Sequence, residues 1–432
     1  MKHHEISRLT ARIAVAGALT CGVATFAVSA GPAYAAGATR YVGAAVGGDT
    51  SCASPGYTTV QSAVNAASPG DTVYLCGTTP FKEEVIITKS ITLTGAPGAT
   101  IAAPSTYASA AALPPQFTSD GLLAPQALVV AWGNGVHVTI SGLTVSGPLP
   151  GNGGCAAEEY GILVIDGASA QISHDTVTNI ADADSSLYGC QYGVGIELGS
   201  ETWPTPGYSS EKTVDFTGTG TITHTSVSGY QKNGITIDGP GSFAQVSDNT
   251  VTGAGPTSAL GKIIAQNGIQ VSDGASGKVT GNTVSANQYS GTGFASSDGI
   301  LVFGGCGFGS LSKNVSVTGN TLVNNDIGVQ LSNSTAASYP YCLIAVHTNT
   351  DDVAMRNRIS DSVVTNVSGD PYSTSCGYQA GVSDLGDHDV IAFNNISGAG
   401  YQHHPKCTTA QPYVTLGVDT TGSIDPAVFL NP

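Results

Sequence analysis

Asn233-Gly234-Ile235-Thr236-Ile237, followed by Val246-Ser247-Asp248-Asn249-Thr250-Val251, is the stretch on which the reading of this chain turns. It recurs as Asn267-Gly268-Ile269-Gln270-Val271 with Val279-Thr280-Gly281-Asn282-Thr283-Val284. A third copy is Asp298-Gly299-Ile300-Leu301-Val302 with Val317-Thr318-Gly319-Asn320-Thr321-Leu322. Each copy holds two short alternating runs bounded by Gly, Asn and Asp, the pattern of half-buried strands, and no helical period runs through them. An all-strand repeat of roughly 30 residues predicts a solenoid in which each turn buries its aliphatic residues against the next.

The repeat runs outward in both directions. Upstream, Tyr160-Gly161-Ile162-Leu163-Val164 matches Ile172-Ser173-His174-Asp175-Thr176-Val177, and Tyr192-Gly193-Val194-Gly195-Ile196 matches Ile222-Thr223-His224-Thr225-Ser226-Val227. Downstream, Ile327-Gly328-Val329-Gln330-Leu331 and Ile391-Ala392-Phe393-Asn394-Asn395-Ile396 continue it. Asn249, Asn282, Asn320 and Asn394 then fall in one column, where stacked amides can satisfy backbone groups left unpaired at a tight corner. Nearer the start come Val60-Gln61-Ser62-Ala63-Val64-Asn65-Ala66-Ala67, Pro69-Gly70-Asp71-Thr72-Val73 and Glu84-Val85-Ile86-Ile87-Thr88. Together these resemble the secreted pectin-lyase-like superfamily. That resemblance implies an all-β, right-handed parallel β-helix with a short N-terminal capping helix. It places the cap at about 55–76, the core coils at about 84–400 and an extension at 401–432. It says little about activity, because one solenoid hosts many chemistries.

Residues 1–35 read as a signal peptide: Lys2, Arg8 and Arg12, then an apolar run, then Ala33-Tyr34-Ala35. A single β-helix domain, 36–432, is expected to follow, secreted and monomeric, with no membrane insertion. Eight cysteines remain after Cys21, an even number that suits disulfides in an exported chain. Proximity suggests Cys52–Cys76, Cys155–Cys190, Cys306–Cys342 and Cys376–Cys407. The chain carries a net charge of −16, which argues against nucleic acid as a partner. Charged residues make up only 10%, so the surface must be Ser, Thr, Asn and Gly, a hydrogen-bonding face that suits a neutral polysaccharide.

Alternation along each strand selects the residues that face out. Aligning the glycine of each strand string gives outward columns Leu163, Gly195, Thr236, Gln270, Leu301 and Ile165, Glu197, Asp238, Ser272, Phe303. Glu197 thereby stands directly above Asp238, with Glu158 and Glu159 approaching the same face. Stacked carboxylates repel, so one is held protonated, as a general acid and its partner require. Aromatic residues that could stack on a sugar are Tyr160, Tyr192 and, in the insertion 199–217, Trp203 and Tyr208. His174, His224 and Asp248 form another column, a weaker candidate for a metal or an acid–base relay. Charged groups near the C-terminus, among them Asp351, Asp352, Arg356, Arg358, Asp384, His388 and Asp389, read as solvated loop charges. No cofactor is required, and Ca2+ could take part.

None of the superfamily's catalytic sets can be carried over residue by residue. Gly195, for example, stands where an alginate-epimerase motif needs an Asp. Two functions remain. One is a polysaccharide hydrolase or lyase built on Glu197, Asp238 and Glu158, with close carboxylates favouring retention and wider ones inversion. The other is a non-catalytic surface, adhesin or glycan-binding solenoid.

Overall fold

The computed structural model describes residues 37–44, 46–107, 126–151, 155, 158–200, 217–293, 295–305, 309–333, 349–366, 379–384, 386, 388–401 and 410–415. The expected signal peptide, Trp203, Tyr208, Cys306, Cys342, Cys376 and Cys407 lie outside them. Ala36–Pro432 forms one compact unit. Among the described residues no helix is long and apolar enough to cross a membrane.

Among the described residues there are three long sheets, one of eleven strands and two of ten, and every pairing between their strands is parallel. The chain visits the three sheets in turn and returns to each one coil further on. It is a parallel β-helix, right-handed like nearly all parallel crossovers. Aliphatic residues repeat at each inward position, so a column such as Ile162, Ile196, Ile235, Ile269, Ile300, Val329 and Val382 is wholly buried. These columns fuse into one continuous core. Hydroxyl residues line the outside, as in Thr176-Val177-Thr178, Ser226-Val227-Ser228 and Thr250-Val251-Thr252, where only the central valine is buried.

The N-terminal end is closed by the helix Val60–Ala66. Seven residues are too few to hold a helix alone, so both its ends are gripped from the first coil. Glu83 accepts from the Val60 and Gln61 amides at 2.8 and 2.9 Å, placing negative charge at the N-terminus. Lys89 donates to the Asn65 and Ala67 carbonyls at 2.7 and 2.8 Å at the other end. Disulfides Cys52–Cys76 and Cys155–Cys190 tie loops to the solenoid.

The asparagine column is a buried ladder with one more rung than the sequence suggested. Asn357 lies between Asn320 and Asn394. Each Nδ2 donates to the Oδ1 of the next rung at 2.9–3.0 Å and each Oδ1 also accepts a backbone amide. The residue just before each rung, Asp248, Gly281, Gly319, Arg356 and Phe393, sits in the left-handed region, as do His174 and His224 at the same corner of earlier coils. Asn320→Ala removes the acceptor for both the amide and the Nδ2 of Asn282. With each orphaned buried donor costing about 1–3 kcal/mol, the variant should lose roughly 3 kcal/mol, read as a lower midpoint in guanidinium unfolding.

Candidate active site

The candidate acids come from three neighbouring coils of one sheet, at or just before Glu159–Ile165, in Val194–Leu198 and in Asn233–Asp238, and Asn267–Ser272 is the next strand of that sheet. The register differs from the one expected. Glu197 pairs with Leu163 and Thr236, and Leu198 with Ile237, so Glu197 does not stand above Asp238. The reason is a two-residue slip in aligning the second copy. Gly193, at φ 83°, is a turn residue ahead of the strand. Gly195 is the strand glycine, stacked between Gly161 and Gly234. Because side chains alternate with period two, a two-residue slip preserves the face. Glu197 therefore still points outward, as a diagonal neighbour of Asp238.

Glu158, Tyr160, Glu197 and Asp238 meet on that face. Tyr160 donates from its hydroxyl to Glu158 Oε2 at 2.7 Å and also reaches Glu197. Glu197 is only 5% exposed. Burial first, then Asp238 and Glu158, hold its carboxyl well above the usual range, against the opposing Tyr160 hydrogen bond. Glu158 is also raised, by burial and then by Asp238, while its Tyr160 bond pulls the other way. It keeps exposed surface, so it is the solvent-facing member of the group.

Asp238 accepts from a chain of neutral donors. Ser272 Oγ donates to Asp238 Oδ1 at 2.6 Å, and Gln270 Nε2 donates to Ser272 Oγ at 2.9 Å. Gln270 Oε1 in turn accepts from Asn233 and Asn267 Nδ2 at 3.1 and 2.9 Å. A serine has one proton, and a donor already occupies its oxygen, so Ser272 must give that proton to Asp238. That hydrogen bond marks Asp238 Oδ1 as an acceptor. Ser272 and Gln270 lie in the outward columns read from the sequence, but only the amide partners on the facing coils reveal their part.

Other candidates lie elsewhere. Glu159 does not share the outward face: it alternates with Tyr160, is fully buried and sits at the start of its strand. Tyr192 precedes the turn into the next strand and acts on Asp182 and Glu159 instead. Burial first and Asp182 second push the Glu159 carboxyl up to about 8. His174 and His224 are exposed, with rings stacked at 5.1 Å and 4° between planes. Among the described residues no group of three His, Cys, Asp or Glu side chains is placed to hold a metal. The acids read as solvated near the C-terminus are in part buried, since Asp352, Asp384 and Asp389 are each at most 1% exposed. Thr350 Oγ1 and the Asp352 amide donate to Asp389 Oδ1, and Asn333 donates to Asp352.

No family model matches the chain, and no curated protein does. Solved structures do. An alginate lyase from Paenibacillus sp. str. FPU-7 aligns at 12% identity over 82% of this chain and 96% of its own, with a TM-score of 0.45. The family 28 exopolygalacturonase of Yersinia enterocolitica aligns at 10% identity over 79% and 63%, with a TM-score of 0.44. The DFA-IIIase of Arthrobacter chlorophenolicus A6, in complex with DFA-III, aligns at 13% identity over 83% and 84%, with a TM-score of 0.38. At these scores and identities the site must be read from its own residues.

Proposed function

We propose that this chain is an exported, monomeric, glycan-active enzyme that works by acid–base chemistry, with Glu197 as the acid and Asp238 as the base. What carries the reading is two neighbouring carboxyls on one outward face with different surroundings. Glu197 is buried beside like charge, and Asp238 is fed by the Ser272 hydroxyl. One coil spacing and a two-residue offset put the two Cα atoms about 8 Å apart. Hydrolysis with inversion, which needs roughly 6.5–9.5 Å between the carboxyl groups themselves, is the outcome proposed for this diagonal pair. Glu197 protonates the glycosidic oxygen as the bond from the anomeric carbon to that oxygen breaks. Asp238 takes a proton from the attacking water, whose oxygen bonds to the same carbon. Glu197 then takes the Tyr160 hydroxyl proton, protonated Glu158 replaces it, and Glu158 regains a proton from solvent, to which Asp238 releases one. The low surface charge favours a neutral glycan, and the two disulfides suit an oxidising compartment.

The test is a panel of neutral and uronic polysaccharides offered to the protein without residues 1–35, scoring new reducing ends and unsaturated products. Reducing ends released with inverted anomeric configuration are expected. Asp238→Asn should slow their release by about 10²–10⁴-fold. Binding to a glycan without turnover on any substrate would replace this reading with that of a non-catalytic glycan-binding solenoid.

A further inference from the structure

A second cluster of oxygens lies behind the site sheet, where the chain turns into it. Glu159 opens its strand in register with Gln126 on the preceding coil. Asp182 sits in the turn that leads to the next coil, its amide bonded to Gln231 Oε1 at 3.1 Å. Tyr192 and Tyr107 face the two acids. Glu159, Asp182, Tyr192 and Tyr107 are 0, 2, 3 and 8% exposed. Both carboxylate oxygens of Glu159, both of Asp182, Gln126 Oε1 and the two tyrosine hydroxyls are buried without a hydrogen-bond partner. The Gly151 amide and the Tyr192 hydroxyl come close enough to ease the charge on Glu159 and Asp182, but neither closes a bond of normal geometry.

Orphaned buried polar atoms are rare, and two unpaired carboxylates side by side are costlier still. Seven such atoms in one place, all oxygen, call for a positive charge. We propose that Glu159, Asp182 and Gln126 bind a buried calcium ion, with the Tyr107 and Tyr192 hydroxyls beside it. Calcium takes six to eight hard oxygen ligands in flexible geometry, whereas magnesium keeps several of its waters and an octahedron. A site closed to solvent and supplied with one amide and two bidentate-capable carboxylates suits the former. Two carboxylates also neutralise a divalent ion. The Cys155–Cys190 bond joins the loops on either side, four residues before Glu159 and two before Tyr192, so the ligand-bearing segments are tied to each other. This site is separate from Glu197 and Asp238 and does not depend on their chemistry.

The experiment begins with the wild-type protein, desalted and assayed by elemental analysis. About one calcium per chain is expected, and a chelator should lower the melting temperature, with calcium restoring it and magnesium failing to. Terbium should replace calcium and glow on tyrosine excitation. Tyr192→Phe should dim that signal, Asp182→Asn should abolish it, and Glu197→Gln should leave it intact. A chain that holds no calcium, shows no chelator effect and gives no tyrosine-sensitised terbium signal overturns the proposal, whether or not the variants fold. So does a Glu159→Gln variant that melts higher than wild type in the presence of calcium, because it would mean that Glu159 is a protonated acid with no cation to lose.

Discussion

Glu197→Gln should reduce glycan turnover by at least about 10³-fold while making the protein more stable at neutral pH. The two effects have one cause. In the native state the carboxyl is buried beside Asp238 and Glu158, and its pKa is raised well above its value in the unfolded chain. The native state therefore binds this proton more tightly than the unfolded state does. Stability from this group is fully present below the unfolded pKa of about 4.3 and is lost as pH rises through the folded value. Glutamine keeps the shape and hydrogen-bonding capacity but cannot ionise or deliver a proton. The variant's advantage in melting temperature should thus grow from acid towards neutral pH, and its rate should stay low at every pH. Lost activity without that pH-dependent gain would indicate that Glu197 is ionised in the native state, and the acid role would pass to another group. A Tyr160→Phe variant provides the companion measurement. It breaks the link to Glu158, so the acidic and alkaline limbs of the rate profile should shift while binding is retained.

Much of this architecture was legible because the solenoid imposes the same requirement at every coil. Inward aliphatics, outward hydroxyls and corner asparagines recur because each coil meets the same neighbours, so pattern alone identifies them. Asn357 escaped notice because its string, Ala354-Met355-Arg356-Asn357, has alanine for the inward aliphatic, methionine for the hydroxyl residue and arginine at the corner. The left-handed corner tolerates Arg356 at φ 55°, and the ladder continues beneath it. Glu197 was found despite the misread register because parity survived the slip. Asp182 gave no signal, since it follows its strand in an irregular turn where no periodicity constrains the residue. Nor could Glu159 be told from Glu158 by composition. Adjacent carboxylates on one strand end face opposite ways, and only the pairing with Gln126 and the neighbouring Tyr160 fixes which is which.

The inward register itself is tested most severely by Ile235→Asp. Ile235 lies between Ile196 and Ile269 in the site sheet, and all three are fully buried. A carboxylate there would meet isoleucine above and below, and the backbone amides around it are committed to parallel ladders. The loss should be about 4 kcal/mol or more, from missing apolar packing and an unpaired buried charge together. Thr250→Asp, on an exposed outward position of another sheet, should cost no more than about 1 kcal/mol. The pH dependence separates a buried acid from a merely disruptive one. An aspartate forced into the core has a raised pKa, so the native state of the variant holds its proton longer than the unfolded chain does. The deficit relative to wild type should then be smallest below pH about 3.9, where both states are protonated, and should widen as pH rises. An Ile235→Asp protein that unfolds with wild-type midpoint at neutral pH would place residue 235 on the outer face. The same parity would then turn Glu197 and Asp238 inward, and the acid–base site would be lost along with the register.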